Sequence, residues 1–199
     1  MRYEKGRKEE TRRRVVEAAS RRFRRDGIEG TGVAGLMADA GLTHGGFYAH
    51  FPSKDDLLRE TLAAALTETW THLASEAKRA RARGEDGLEA IVRRYLRAAH
   101  RDRPEAGCAV AALASEISRH DAITRDVLAK AIRTIVSVIA DELPAARTRQ
   151  EVEETAHAIF GLMVGTLQIA RITRRPAESE AILAAGREAA LGLSRRLSG

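Results

Sequence analysis

The stretch of sequence that decides the fold runs from residue 31 to residue 51 and reads TGVAGLMADAGLTHGGFYAHF. Thr31 predicts the N-cap of a short helix, and Gly41 stands where a left-handed residue ends such a helix. The apolar residues between them recur at helical spacing: Val33, Leu36, Met37 and Ala40. Thr43 predicts the N-cap of a second short helix, so the stretch predicts a helix-turn-helix.

The second of these helices has two faces with different chemistry. Residues four apart share a face, so Phe47 and Phe51 form an apolar stripe while His44 and Tyr48 form another. The tandem pair Gly45-Gly46 needs a reason, because each glycine inside a helix costs about 1 kcal/mol relative to alanine. Our hypothesis is that the missing side chains let this backbone approach a DNA phosphate strand closely. A short, irregular helix is the alternative.

A longer part of the chain, from Thr11 to Leu58, resembles the DNA-binding segment of the TetR family of bacterial transcriptional regulators. The resemblance is carried by residues of the first helix, of the turn, and of the helix that follows it: Val15 to Phe23, Gly27, Ala38 to Leu42, and the run THGGFYAHFPSKDDLL from Thr43 to Leu58. A single helix-turn-helix is a weak signal, whereas this longer run is specific. It covers about the first third of the chain.

The resemblance implies an all-α protein of about nine helices. A three-helix helix-turn-helix head, residues 1–51, is expected to bind DNA, and a long helix is expected to join it to a helical ligand-binding and dimerisation domain, residues 52–199. The implied function is a ligand-responsive transcriptional regulator, above all a repressor that a small molecule releases from a palindromic operator. An activator, or a redox or electrophile sensor acting through Cys108, stays open as an alternative.

The predicted DNA contacts lie in and around the second short helix. Base-edge contacts are expected from Thr43, His44 and Tyr48. Phosphate contacts are expected from Thr31, Gly45, Gly46, His50 and Lys54, with the arginines of the first helix nearby. Because few of these side chains are long and polar, readout of DNA shape is expected to add to direct base contacts.

Composition indicates a globular protein, and the charge permits an acidic partner such as nucleic acid without requiring one; a solvated helix face is the alternative for the basic excess. The formal net charge is +6, and residues 1–51 carry eleven Lys and Arg against seven Asp and Glu. The single cysteine excludes an intramolecular disulfide, and with no signal peptide the chain is expected in the cytoplasm. The longest apolar run, residues 158–170, is shorter than the ~20 residues of a bilayer span, so it predicts a buried helix.

No catalytic motif is present in the sequence. It contains no glycine-rich phosphate loop, nucleophile elbow or zinc-protease motif, and its six histidines do not show metal-ligand spacing. We therefore expect no enzymatic activity, no cofactor and no bound metal.

The remaining helices are predicted from apolar periodicity and from turn residues. Residues 1–8 are expected to form a mobile arm. Helices are expected over 9–26, from Ser53 to about residue 80, and over 88–100, 121–143, 148–173 and 177–197, with a further apolar segment at 105–119. The last two helices carry more apolar surface than one neighbour needs, which predicts a homodimer through a four-helix bundle.

A small-molecule effector site is implied by the family and only thinly supported by the residues. Apolar, aromatic and polar side chains from several predicted helices are its candidates: Trp70, Tyr95, Cys108, Leu113, Phe160, Met163, Leu167 and Gln168. The same set is also what an ordinary helical core contains.

Overall fold

The computed structural model describes residues 2–144 and 148–197, with side chains described from residue 6 onward in the first range. Within these ranges the chain forms nine α-helices and two short 3-10 helices, and it contains no strand. The all-α prediction is therefore confirmed.

The helices follow one another with short connections. In chain order they are α1 Arg2–Asp26, α2 Val33–Asp39, a 3-10 helix His44–Ala49, α3 Lys54–Ala82, α4 Gly87–Tyr95, α5 Ala98–Asp102, a 3-10 helix Pro104–Ala106, α6 Ala109–Ile117, α7 Ala122–Ala140, α8 Arg149–Ile172 and α9 Pro176–Leu197. We call residues 43–50, which contain the first 3-10 helix, the reading segment.

The chain divides into two compact units. One consists of Met1–Leu66 with Pro104–Ala129, and the other of Thr67–Arg103 with Lys130–Gly199. In the first unit α1 packs against α2, α6 and the 3-10 helix Pro104–Ala106, and in the second α9 packs against α8 and α4. This division does not coincide with the predicted boundary after residue 51, because α6 and the first turns of α3 pack with the head.

The predicted N-terminal arm is wrong for the residues that the structure describes. Helix α1 begins at Arg2, although the sequence of residues 2–8 has no periodic apolar pattern. Arg, Glu and Lys have good intrinsic helix propensity, so the helix continues beyond its packed portion. At its other end the prediction is confirmed, since Gly27 has a φ of +80°.

The helix predicted over residues 88–100 is broken in two. Leu96 adopts φ −93° and ψ 55°, which ends α4, and α5 begins only at Ala98. The carbonyl of Leu96, at the break, accepts a hydrogen bond from Arg187 at 2.7 Å, and the carbonyl of His100, in α5, accepts one from Arg171 at 2.9 Å. Such partners cannot be recognised from local periodicity.

Helix α8 is buried on one side only. Thr148 and Glu151 form a capping box at its start. Its inner face consists of Ala156, Ile159, Phe160, Met163, Leu167 and Ala170. Ile169 and Ile172 are 53% and 78% exposed, so the prediction of a buried helix is wrong for the other face. Among the described residues, α8 alone is long and apolar enough to cross a membrane, a test that a core helix also passes.

Candidate nucleic-acid interface

The turn between α2 and the reading segment has the predicted geometry. Gly41 has a φ of +70°, a left-handed conformation that side chains disfavour. The amide of Leu42 donates to Met37 O at 2.8 Å, and Arg14 of α1 donates to Ala40 O at 2.6 Å. The end of α2 is therefore held both by its own backbone and by α1.

Thr31 does not have the predicted role at the start of α2. The N-cap is Gly32, and no side chain caps the helix. The Thr31 side chain is fully buried, and its hydroxyl donates to Gly27 O at 2.6 Å. Because Thr31 has no exposed surface, the predicted contact between Thr31 and a phosphate is also wrong. The residue stabilises the turn after α1 instead.

The reading segment is helical, as predicted, but forms a 3-10 helix. Thr43 is extended and stands at the N-cap position, although its side chain makes no capping hydrogen bond. Phe47 is buried and stacks on Phe51, with ring centroids 5.7 Å apart, and this pair anchors the segment in the core of the first unit. Tyr48 contacts the edge of Phe47, with ring centroids 5.2 Å apart.

The predicted base-contacting side chains lie on the outside of the reading segment. Thr43, His44 and Tyr48 are exposed, and Tyr48 is 68% exposed despite its aromatic ring. A Cβ atom at Gly45 would meet no other atom within 4 Å, and one at Gly46 would make only ordinary contacts at 3.7 and 3.9 Å. Neither glycine has a positive φ. The packing of the described chain therefore does not require glycine at Gly45 or Gly46.

Arg12 of α1 holds the end of the reading segment, a role that the sequence does not show. Its guanidinium donates to His50 O, makes a bidentate ion pair with Glu60 of α3, and lies 4.3 Å from the centroid of Phe51. One side chain thus joins α1, α3 and the segment. From the sequence, Arg12 is only one of the first-helix arginines expected near phosphate.

His50 and Lys54 lie at the edge of this surface. His50 is half-buried, and its Nδ1 is buried without a hydrogen-bond partner among the described residues. Burial, with smaller contributions from the Lys8 and Arg12 charges, lowers the pKa of His50 below its ordinary value. The ammonium of Lys54 donates to Ile28 O at 2.6 Å, so part of its hydrogen-bonding capacity is used inside the protein.

The eight predicted effector residues do not form one described cluster. Cys108 and Leu113 are buried in the first unit, whereas the other six belong to the second. In the second unit Tyr95 contacts Phe160, with ring centroids 6.2 Å apart. Phe160, Met163 and Leu167 are buried on α8, and Trp70 is half-buried. Gln168 is exposed on α8, so the structure does not place it in the core with them.

A cavity in the second unit lies between α7 and the start of α8. Its volume is about 590 Å³, within the range of ~300–1,000 Å³ that small-molecule sites occupy. Apolar and charged side chains line it together: Arg133, Val136, Ser137, Ala140, Asp141, Thr148, Arg149, Val152, Glu153 and His157. None of the predicted effector residues is among them. Over the described ranges, no group of three His, Cys, Asp or Glu residues is placed to hold a metal ion.

Two family descriptions match this chain, one over the head and the first turns of α3 and one beyond the end of that helix. "Bacterial regulatory proteins, tetR family" matches residues 15–61, and "Tetracyclin repressor-like, C-terminal domain" matches residues 84–185, about half of the chain. The chain belongs to the TetR family. The resemblance found in the first third of the sequence is confirmed, and the match to the C-terminal domain extends family membership to the part of the sequence where no motif was recognised.

Curated relatives within the family are similar over the head. The HTH-type transcriptional regulator TtgR of Pseudomonas putida is 41% identical over 66 residues, which are 33% of this chain and 31% of TtgR. The probable HTH-type transcriptional regulator ArpR, also of Pseudomonas putida, has the same identity and coverage. The aligned region thus spans about a third of each relative.

Solved structures of the family share the fold over nearly the whole chain. The reduced form of E. coli NemR has a TM-score of 0.73 at 19% identity, covering 90% of this chain and 97% of NemR. FadR of Bacillus subtilis in complex with stearoyl-CoA has a TM-score of 0.68 at 14% identity, covering 88% and 95%. At these identities the likeness shows the fold alone.

Proposed function

We propose that this protein is a ligand-responsive transcriptional regulator, acting as a repressor that binds a palindromic operator in the cytoplasm as a homodimer. The observation that carries the proposal is the outward face of the reading segment. Thr43, His44 and Tyr48 are exposed there on a segment anchored from within by Phe47 and Arg12. A rigid, exposed polar face beside a helix-turn-helix suits base edges in a major groove.

The two glycines of the reading segment support a close approach to phosphate. Gly45 is exposed, and a side chain there would meet no atom of the chain within 4 Å. Internal packing therefore does not account for the missing side chain, whereas a close external backbone would. His50 and Lys54 are the proposed phosphate-contacting side chains at the edge of the same surface. The excess of basic residues in the first 51 positions adds attraction to the polyanion.

The exposed face of α8 supports the proposed homodimer through α8 and α9. Ile169 and Ile172 are exposed, and Gly161 and Gly165 have open space where a side chain would be. Gly186 of α9 differs, because a Cβ there would collide with Thr166 of α8, so that glycine serves packing within the chain. An apolar face with small residues and no internal neighbour is suited to a second copy of the same helix pair.

Ligand response is proposed to work by linkage. An effector that binds better to a conformation with the wrong spacing of the two heads lowers DNA affinity by that difference in binding free energy. Tyr95, Phe160, Met163 and Leu167 are the proposed apolar contacts for the effector. Two of them already touch, since the rings of Tyr95 and Phe160 are in contact. No catalytic role is proposed for any residue.

The experiment that tests this function is selection of binding sites from random double-stranded DNA with the purified protein. We expect enrichment of an inverted repeat with half-sites about one helical turn, ~34–36 Å, or more apart. Light scattering of the complex is expected to give two chains per operator. Failure to enrich any sequence at low salt would contradict the proposed sequence-specific DNA binding. Enrichment of a single asymmetric site by a monomer would contradict the proposed homodimer.

A further inference from the structure

The connection between α1 and α2 is held from outside by residues far away in sequence. It begins at Gly27, whose positive φ turns the chain, and continues through Ile28, which is only 1% exposed. The amides of Ile28 and Glu29 follow the end of α1 and have no intrahelical acceptor. The amide of a residue as buried as Ile28 needs a partner, and here the partner comes from α6.

Glu116 of α6 supplies that partner with one carboxylate oxygen. Its Oε2 accepts hydrogen bonds from Ile28 N at 2.8 Å and from Glu29 N at 3.3 Å. No salt bridge joins Glu116 to any residue in the described part of the chain, although Arg119 and His120 line the same open polar cavity. Its other oxygen lies 3.0 Å from the position of a Cβ at Gly27, so glycine also permits this close approach.

The carbonyl of Ile28 is held from the opposite side. Lys54, in the first turn of α3, donates to Ile28 O at 2.6 Å, and Thr31 N donates to the same oxygen at 3.3 Å. An anion on α6 and a cation on α3 therefore bind the two polar groups of one buried residue. Hydrogen bonds to charged groups are stronger than those between neutral ones, so this clamp is expected to be stiff.

A second link joins α1 itself to the start of α6. Arg24, near the end of α1, donates to Gly107 O at 2.8 Å. The end of α1 and the turn that follows it are thus bound to both ends of the segment 107–116. Since α2 begins five residues after Ile28 and leads directly into the reading segment, the position of this turn sets where the reading segment starts.

We propose that Glu116 is a positioning residue for DNA recognition, which fixes the α1–α2 turn, and with it the reading segment, to helix α6. It does not touch DNA. Its carboxylate keeps the head in one orientation relative to α6, so that each head of the dimer meets its half-site at a fixed distance from the other. This inference rests on the proposed DNA-binding function.

The test compares Glu116→Gln with Asp126→Asn, which removes the same charge from an exposed position on α7. The probes are the operator enriched from random DNA by the unchanged protein and two versions of it with one base pair added or removed between half-sites. We expect the ratio of affinities for the original and altered spacings to be at least about threefold smaller for Glu116→Gln than for the unchanged protein, because a neutral amide oxygen replaces the charged acceptor. Asp126→Asn is expected to discriminate like the unchanged protein.

The ratio of affinities for the differently spaced operators distinguishes a positioning role of Glu116 from a general loss of protein stability. A variant that is partly unfolded binds every operator more weakly by the same factor, which leaves the ratio between spacings unchanged. Equal ratios for Glu116→Gln and the unchanged protein would overturn the inference. If the unchanged protein enriches no operator, the proposed function fails, and that result is distinct from an unaltered ratio.

A second measurement addresses the clamp directly, by amide hydrogen exchange. The amides of Ile28 and Glu29 are expected to exchange slowly in the unchanged protein and in Asp126→Asn, because both donate to Glu116 Oε2. In Glu116→Gln these two amides are expected to exchange faster while the rest of the first unit exchanges as before. Rapid exchange of both amides in the folded, unchanged protein would contradict the clamp itself.

Discussion

The reading segment and the outer face of α8 are both exposed, but they differ in what they expose and in how they are held. The reading segment presents Thr43, His44 and Tyr48. It is anchored in the core by Phe47, and its C-terminal end is bound by Arg12. The outer face of α8 presents the exposed side chains of Ile169 and Ile172. Gly161 and Gly165 belong to the same helix, and a Cβ at either would meet no atom of the described chain within 4 Å.

The difference between these surfaces indicates two kinds of partner. Polar side chains on an internally braced segment are available for hydrogen bonds in a fixed geometry, which is what recognition of base edges requires. Apolar side chains beside open glycine positions gain free energy only when another apolar surface covers them. We therefore propose DNA as the partner of the first surface and a second copy of the chain as the partner of the second.

The largest expected effect comes from placing a charge on the apolar surface. Ile169→Glu is expected to give a folded monomer, because the side chain is exposed within the chain but would be buried in the dimer. Loss of the second reading segment is expected to weaken operator binding about a hundredfold or more. Sedimentation and a gel shift measure the two effects.

The matched control for this change is Ile123→Glu on α7. Ile123 is also exposed, at 64%, but it belongs to α7 and the first unit and is not part of α8. It is expected to stay dimeric and to bind the operator as before. If Ile169→Glu remains a dimer at micromolar concentration, the assignment of the α8 face is wrong.

A smaller effect is expected from releasing the brace on the reading segment. Arg12→Met removes the donor to His50 O and the ion pair with Glu60 while keeping an apolar side chain against Phe51. We expect operator affinity to fall on the order of tenfold, since hydrogen bonds to a charged group are lost and the segment must be ordered on binding. Fluorescence anisotropy with labelled operator measures this change.

Arg79→Met serves as the comparison for Arg12→Met. Arg79 also pairs with a glutamate, Glu76, but on its own helix in the second unit and at an exposed position. Its replacement is expected to leave operator affinity unchanged. Equal losses from both substitutions would mean that general arginine charge, and not the brace, supports DNA binding.

A further effect concerns the stability of the second unit at low pH, and not the binding of DNA. Burial lowers the pKa of His100 to about 4, and its Nδ1 bonds Tyr95 O at 2.7 Å. In the unfolded chain the pKa of His100 is near 6.5. Between pH 6.5 and pH 4, His100 therefore binds a proton in the unfolded chain but not in the folded one. The free energy of unfolding is therefore expected to fall as pH drops from 6.5 towards 4, by up to about 1.4 kcal/mol per pH unit.

Denaturant unfolding at pH 7 and pH 5 tests this dependence. His100→Asn is expected to show a smaller decrease between the two pH values than the unchanged protein. His72→Gln, at an exposed position of α3 in the same unit, is expected to behave like the unchanged protein. A pH dependence that is identical in all three proteins would exclude His100 as its source.

The sequence predicts the head well because its signals are local. Gly27 and Gly41 mark their turns correctly, and the amphipathic spacing around Phe47 and Tyr48 predicts which side chains are buried and which exposed. The errors also have a local cause. Thr31 and Gly32 are both acceptable N-cap residues, and only the hydrogen bond from Thr31 to Gly27 O decides between them.

The contacts that hold the elements together could not be predicted from the sequence. Arg12 and Glu116 look like ordinary surface charges on helices, and their roles depend on partners that are 38 and 88 residues away in the chain. The break at Leu96 is hidden for the same reason, because Arg187 bonds its carbonyl from 91 residues away. Periodicity shows which face of a helix is buried, and it does not show which distant group it meets.

The measurement that tests the central assignment most directly is site selection from random DNA with a variant of the reading segment. Thr43, His44 and Tyr48 are replaced together by alanine, and because all three are exposed the melting temperature is expected to stay unchanged. The unchanged protein is expected to enrich an inverted repeat, and the triple variant is expected to enrich no sequence under the same conditions. If the folded variant enriches the same inverted repeat with similar affinity, the reading segment is not the surface that recognises DNA.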